Sequence, residues 1–240
     1  MIVKNRLLNY SNTFIYQDTD YFKMSLDSLL LSQFVTINLR DKKILDLATG
    51  NAPIPMLLTF RTKASIYGVE LQKEVYDLGV KSINQNNMNG QIKLINEDVR
   101  NLNKIFDSDT FDVITCNPPY FNTLNEELVN DNDIKKLARH EITLNLDDVF
   151  RVSKYLLKTN GKIAIVHRTE RFMEIIEVMK KYNIEPKRVQ FIYPNKTKDS
   201  DMVLIEGIKN GKKGLKILKP LYVYKEEGIY TDEVKSMFGE

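Results

Sequence analysis

Four consecutive residues near the middle of the chain, Asn117-Pro118-Pro119-Tyr120, have side chains and backbone suited to gripping a flat amine. Asn117 offers an amide oxygen and an amide NH2, and Tyr120 offers an aromatic face with a polar tip. The two prolines fix their own φ and push the residue before them into extended geometry. They also remove two backbone N–H groups and leave carbonyl acceptors in a stiff arc. A site rich in acceptors and poor in donors, with a ring beside it, suits an exocyclic or amide NH2 presented for group transfer. The apolar run Phe111-Asp112-Val113-Ile114-Thr115-Cys116 leads into it and reads as a buried strand ending at the double proline.

Three carboxylates occupy comparable places earlier in the chain. Asp46 opens the turn Asp46-Leu47-Ala48-Thr49-Gly50-Asn51-Ala52, Glu70 ends the next apolar run, and Asp98 follows the third in Asn96-Glu97-Asp98-Val99. Alone, each reads as a helix cap or a solvated side chain. Together, at three successive strand ends in an open α/β sheet, they mark a nucleotide-binding crevice. A dinucleotide needs bare backbone N–H groups around its pyrophosphate. Here Gly50 is the only glycine in the turn, Pro53 lacks an N–H, and Asp46 would face the phosphates. S-adenosylmethionine has ribose and adenine, no phosphate, and a cationic end that favours acids, so it fits the loop better than NAD.

The elements that must position these groups alternate from Lys43 onward. Strands are expected at Ile44–Leu47, Ile66–Glu70, Ile92–Ile95, Phe111–Cys116 and Gly161–Val166. Helices are expected at Pro55–Phe60, Lys73–Asn87, Leu146–Leu157 and Glu170–Tyr182. Strand-rich sequence follows at Arg188–Tyr193, Met202–Ile208 and Lys216–Tyr224. The expected fold is α/β and Rossmann-like: a mostly parallel seven-stranded sheet, helices on both faces, and an antiparallel C-terminal hairpin. Residues 1–40 form an N-terminal flap and helix, with a short strand near Thr13–Gln17 and a helix start at Ser25-Leu26-Asp27. Residues 41–240 form the core of the same single domain. The connection Phe121–Asn145 is long enough to serve as a lid or binding loop.

Composition sets limits. The 240 residues are 42% hydrophobic and 28% charged, within the range of globular proteins. No apolar run approaches the roughly 18–20 residues of a membrane span, and no secretory signal opens the chain, so a cytoplasmic location is expected. One cysteine excludes an internal disulfide framework, and two histidines argue against a histidine-rich metal site; no metal is expected. Cys116 reads as core. The net charge is +3, unevenly spread: Lys187 to Lys219 carries nine Lys/Arg against three Asp/Glu. Such a stripe is a possible footprint for nucleic acid.

With these residues in hand, the chain resembles the class I amino-methyltransferases that modify nitrogen. The likeness rests on Asp46-x-Ala48-Thr49-Gly50-Asn51-Ala52, Glu70, Asp98 and Asn117-Pro118-Pro119-Tyr120. Within that class it resembles the bacterial tRNA(Val)-specific adenine N6-methyltransferases. The features are Asp27-Ser28-Leu29-Leu30-Leu31, Ala138-Arg139-His140-Glu141 and Gly228-Ile229-Tyr230-Thr231-Asp232-Glu233. The resemblance spans nearly the whole chain. It implies S-adenosylmethionine as methyl donor, S-adenosylhomocysteine as product, and tRNA as partner; a monomer is expected. It implies contacts to the cofactor from Asp46, Ala48, Thr49, Gly50, Asn51, Glu70, Leu71, Asp98, Val99 and Asn117. Asn117, Pro118, Pro119 and Tyr120 would hold the target base. Where the family's loop carries glycine, this chain has Ala48 and Ala52, whose methyls narrow the approach to the cofactor.

Substrate contacts are expected from Arg139 and His140 after the long connection, from His167 and Arg168 after strand five, and from Lys196 and Lys198. Lys187, Arg188, Lys212 and Lys213 join the basic group. Phe14, Tyr16, Tyr21 and Phe22 read as packing residues and Asp27 as a helix-start carboxylate. A glutamine amide is also a planar NH2, so methylation of peptide-chain release factors is the second reading. Only a short flap stands where those enzymes carry a helical substrate domain. Ribosomal RNA and a catalytically silent RNA-binding protein complete the alternatives.

Overall fold

The computed structural model describes residues 1–8, 12–18, 25–118 and 144–239. Runs of β-branched and leucine residues become the central strands β3 (Lys43–Leu47), β4 (Ser65–Glu70), β5 (Ile92–Asn96), β6 (Phe111–Cys116) and β7 (Leu157–Arg168). β8 (Ile184–Tyr193) and β9 (Met202–Lys209) form the C-terminal hairpin. The order across the sheet is β8-β9-β7-β6-β3-β4-β5. β3 through β7 pair in parallel, and β9 lies antiparallel between β7 and β8. The chain adds β4 and β5 on one side of β3, then crosses to add β6 and β7 on the other. That reversal opens a crevice beyond the carboxyl ends of β3 and β6, where α/β sheets bind ligands.

Strands covered on both faces must be apolar on both, and alternate residues here enter two separate cores. Ile44, Ile66, Val113, Ala164 and Val166 pack beneath α1 (Leu26–Phe34), α2 (Pro53–Leu58) and α3 (Lys73–Gln85). Leu45, Leu47, Ile114, Cys116, Ile163 and Ile165 pack against α4 (Leu146–Leu156) and α5 (Phe172–Lys181). Asn145 caps α4, its side chain accepting from the Asp148 N–H at 2.8 Å.

Several boundaries differ from expectation. The N-terminal flap is a hairpin, β1 (Ile2–Arg6) against β2 (Phe14–Asp18), in place of a single expected strand. α2 begins at Pro53, because proline needs no N–H partner in a first helical turn and arrives with helical φ. α5 begins at Phe172 behind a 3-10 turn over Thr169–Arg171. The expected strand Lys216–Tyr224 is broken into β10 (Lys216–Ile217), β11 (Leu221–Tyr222) and β12 (Tyr224–Glu226). Pro220 in its middle has no ladder donor. β10 and β11 pair in parallel along the outer side of β8, extending the seven long strands. β12 pairs with β13 (Ile229–Tyr230), and α6 (Asp232–Phe238) ends the described chain. No helix among the described residues is long and apolar enough to cross a membrane.

Candidate active site

The turn after β3 is built from the inside outward. Asp46 is fully buried: Oδ2 accepts from the Thr49 hydroxyl and Oδ1 from the Thr115 hydroxyl, both at 2.6 Å. Burial pushes its pKa up to about 7; the two hydroxyls offset part of that rise, and the Glu70 charge adds to it. The carboxylate therefore locks the turn to β6, with both oxygens engaged inside the protein rather than presented at the surface. Thr115 is the residue opposite Asp46 across β3 and β6. Residue chemistry did not single it out, because an alternating strand pattern does not say which threonine meets which acid.

Glu70 closes the turn from the other side. Its Oε2 accepts the Gly50 N–H and its Oε1 the Gln72 N–H, each at 2.9 Å. Burial raises its pKa, against the pull of these two N–H donors and of the Leu71 N–H. The Thr49 N–H donates to the Val69 carbonyl at 2.8 Å. To make these contacts the backbone coils tightly, with φ of 51° at Ala48, 59° at Gly50 and 69° at Ala52. Only the middle position is glycine. Gly68 and Gly79 allow close approach: a Cβ at Gly68 would lie 2.9 Å from both Thr49 Cγ2 and Oγ1, and one at Gly79 3.3 Å from the Asn51 carbonyl carbon. The hairpin fastens on here too, since Asn51 Nδ2 donates to the Tyr16 carbonyl at 2.7 Å. The Tyr16 N–H in turn donates to Ser82 on α3 at 2.9 Å.

This arrangement fits a nucleoside. A carboxylate has about four acceptor positions, and the N–H groups of Gly50, Gln72 and, more weakly, Leu71 draw on those of Glu70 without exhausting them. Apart from its two chain neighbours, no described residue comes within 4 Å of where a Cβ on Gly50 would stand. Leu71, next to Glu70, is 44% exposed and offers an apolar surface, while Val99 is buried. Asp98 caps the 3-10 helix Val99–Lys104 by accepting the Arg100 N–H at 2.8 Å, and the Arg100 guanidinium pairs with the same carboxylate. Burial alone would raise the Asp98 pKa; the bonds from Arg100 outweigh it and hold it low.

Asn117 emerges from β6 directly beside the Asp46 turn. Its Nδ2 donates to Ser28 Oγ on α1 at 3.3 Å, and Pro118 behind it is buried. Pro119, Tyr120, Arg139 and His140, with Tyr21, Phe22 and the long connection, lie outside the described residues. Cys116 is buried, and burial drives its thiol pKa up, as for a core residue.

Of the basic residues expected to meet substrate, Arg168, Lys196 and Lys198 are exposed. They share the carboxyl edge of the sheet with Asn117: Cys116 pairs with Ile165, Arg168 with Met202, and Met202 with Ile192. His167 does not present its ring there. It sits within β7, 4% exposed, with Nδ1 accepting the Arg168 N–H at 2.8 Å. Burial lowers its pKa to about 4, helped by the Arg171 charge. Arg188 is turned inward, where it bonds the Phe34 carbonyl and the buried Glu206, both at 3.1 Å. Lys187 reaches the Lys212 carbonyl at 3.1 Å and, with Lys212 and Lys213, lies toward the amino edge. The basic stripe of the sequence is thus split between opposite ends of the sheet.

The strand order and the acid-lined crevice at the switch point define a Rossmann-like enzyme of the class I type. A family model described as a methyltransferase domain matches residues 38–219, and the chain belongs to that family. Among curated relatives, the tRNA1(Val) (adenine(37)-N6)-methyltransferase of Flavobacterium psychrophilum is 23% identical over 95% of each chain. The protein of the same name from Cytophaga hutchinsonii is 24% identical over 82% of this chain and 81% of its own. Among solved structures, one from Agrobacterium tumefaciens described as a predicted O-methyltransferase aligns with a TM-score of 0.71. Its identity is 19%, over 89% of this chain and 95% of that one. Geranyl diphosphate C-methyltransferase from Streptomyces coelicolor, solved with S-adenosyl-L-homocysteine, aligns with a TM-score of 0.57. Its identity is 12%, over 76% of this chain and 79% of that one. At these identities the structural matches speak for the fold.

Proposed function

We propose that this enzyme transfers a methyl group from S-adenosylmethionine to the exocyclic N6 of an adenine in tRNA, at position 37 beside the anticodon of tRNA(Val). The observation that carries the reading is the placement of Asn117 at the switch point, next to the turn held by Asp46 and Glu70. The relatives' names support the choice of adenine over glutamine.

Glu70 would hold the ribose hydroxyls through its remaining acceptor positions, and Leu71 would lie against the adenine of the cofactor. S-adenosylmethionine supplies a methyl group on a sulfonium and leaves as S-adenosylhomocysteine. The work of the chain is then to make a poor nucleophile adequate, because the N6 lone pair is delocalised into the ring. Asn117 Oδ1 and the Pro118 carbonyl would accept the two amine hydrogens and turn the lone pair out of the ring plane. That is positioning together with stabilisation of the positive charge that grows on nitrogen. Tyr120 would stack on the extruded base, a contact worth about 1–3 kcal/mol in single-strand recognition. A strong general base is not required, since the methylated ammonium loses its proton to water. Arg168, Lys196 and Lys198 would meet phosphate on the same edge.

The test is labelled-methyl transfer to bulk tRNA and, in parallel, to purified release factor, followed by nucleoside analysis. N6-methyladenosine confined to one tRNA is expected. Label on a protein glutamine, or on ribosomal RNA alone, would replace this reading.

A further inference from the structure

We propose that the N-terminal hairpin buttresses the turn of residues 46–52 through Asn51, a positioning residue that links cofactor affinity to the seating of β2. The inference rests on the reading of that turn as the cofactor's seat. The first half of the turn is fastened to the sheet: Asp46 accepts the Thr49 hydroxyl, Glu70 the Gly50 N–H, and the Val69 carbonyl the Thr49 N–H. Asn51 and Ala52 lie beyond these bonds, and Ala52 holds a φ of 69°. A residue with a Cβ keeps left-handed backbone only where its surroundings hold it there. Asn51 supplies that hold, its Nδ2 donating to the Tyr16 carbonyl at 2.7 Å. A backbone carbonyl carries no hydrogen, so only the NH2 end of the amide can face it. Asn51 is 4% exposed, and α3 closes on it from the Gly79 side, where an added Cβ would stand 3.3 Å from its carbonyl carbon.

A buttress must itself be held, and β2 is. The Ser82 hydroxyl donates to the Leu78 carbonyl at 2.8 Å, which leaves its oxygen to accept the Tyr16 N–H at 2.9 Å. Asn86, at the end of α3, grips Phe14 from both sides: Oδ1 accepts the Phe14 N–H at 2.9 Å and Nδ2 donates to its carbonyl at 2.7 Å. Lys81 adds its ammonium 4.1 Å from the centre of the Tyr16 ring. Asn86 stands seven residues along α3 from Gly79, about 10 Å at 1.5 Å per residue. It therefore acts on β2 without lying against the turn. The three attachments run in series, from Asn86 to Phe14, from Ser82 to Tyr16, and from Tyr16 to Asn51. If the seating of β2 sets how well the turn binds its ligand, a bound ligand must hold β2 in place by the same factor.

The test is a double-substitution cycle on the full chain, read by calorimetry with S-adenosylhomocysteine at a temperature where every variant is folded. Asn51→Ala should bind about tenfold more weakly than wild type, and Asn86→Ala about threefold more weakly despite its distance. The double variant should bind no more weakly than Asn51→Ala, because loosening β2 no longer reaches the turn once the Asn51 bond is gone. Amide exchange over residues 12–18, followed by mass spectrometry, should slow when S-adenosylhomocysteine is added to wild type, and should not respond in Asn51→Ala. Should Asn51→Ala fail to fold, Asn86→Ala and the wild-type exchange decide the matter. Wild-type affinity in Asn86→Ala, losses that multiply in the double variant, or exchange indifferent to the ligand in wild type would overturn the proposal. Glu70→Ala separates the two readings. Undiminished binding there would remove the turn as the cofactor's seat and the buttress with it, whereas weaker binding there with Asn51→Ala unchanged would remove the buttress alone.

Discussion

The Glu70 carboxylate and the Gly50 N–H are 2.9 Å apart, so the end of β4 is stitched to the turn that follows β3. Glu70 binds a second N–H, that of Gln72, through its other oxygen. Removing the carboxylate in Glu70→Ala leaves both half-buried donors without their partner, at about 1 kcal/mol for each, the low end for an unsatisfied group because water can reach them. Denaturant unfolding should show a loss of about 2 kcal/mol, and calorimetry a cofactor affinity at least about tenfold weaker. Glu70→Gln keeps an acceptor for one donor and should fall between.

Asp46 gives stability a defined pH dependence. It ionises near 7 in the folded chain against an ordinary 3.8, so its contribution is full below about pH 4 and is lost as pH rises through 7. His167 has the opposite sign. Its pKa falls from 6.5 to about 4, so its contribution is full above about pH 6.5 and is lost as pH drops through 4. Asp46→Asn removes the first effect alone. Its melting temperature relative to wild type should climb from pH 4 to pH 7 and then level off. A constant difference across that range would contradict the buried, proton-holding carboxyl.

Ala48 and Ala52 both adopt left-handed backbone, which costs a residue with a Cβ about 1–2 kcal/mol. Glycine would remove that cost but returns about 0.4–1 kcal/mol of freedom to the unfolded chain. At half-buried Ala48 the balance favours Ala48→Gly by about 0–1.6 kcal/mol. At fully buried Ala52 the lost methyl costs a further ~0.8 kcal/mol, so Ala52→Gly should be close to neutral. Paired urea melts would separate the two.

The divided basic stripe predicts an asymmetry in tRNA binding. Replacing Arg168, Lys196 and Lys198 by glutamine should weaken binding and lower the salt slope by about one for each phosphate left without its cation. The same change at Lys187, Lys212 and Lys213 should leave both the affinity and its slope close to wild type. Equal effects from the two sets would place tRNA across the whole hairpin.

Asn117→Ala should retain cofactor binding by calorimetry and lose most turnover with saturating tRNA, because the turn proposed to hold the cofactor is fastened by Asp46 and Glu70 without it. Retained turnover would remove Asn117 from the reaction.

The alternation of apolar runs with helical periodicity is enough to place the strands β3 to β9, because strands buried on both faces must be apolar throughout. It misplaces what depends on partners rather than periodicity. β1 is half polar and is recognisable as a strand only through its pairing with β2. The last expected strand fails at Pro220. His167, by its position after an apolar run, reads as a substrate contact. Its ring is instead buried, because β7 continues past it as far as Arg168, in register with Met202 of β9.

The sequence alone determined the kind of chemistry: an Asn-Pro-Pro-Tyr acceptor arc and acids at strand ends are properties of residue type and order. Only the tertiary structure decided how those acids are used. Asp46 is occupied by Thr49 and Thr115, Asp98 by Arg100, and Glu70 divides its oxygens between two backbone donors. It also joined Ser28 to Asn117 across 89 positions and sent the lysines to two ends of the sheet. Hydrogen bonds between residues far apart in the chain depend on strand register and helix anchoring, which emerge when the two cores pack.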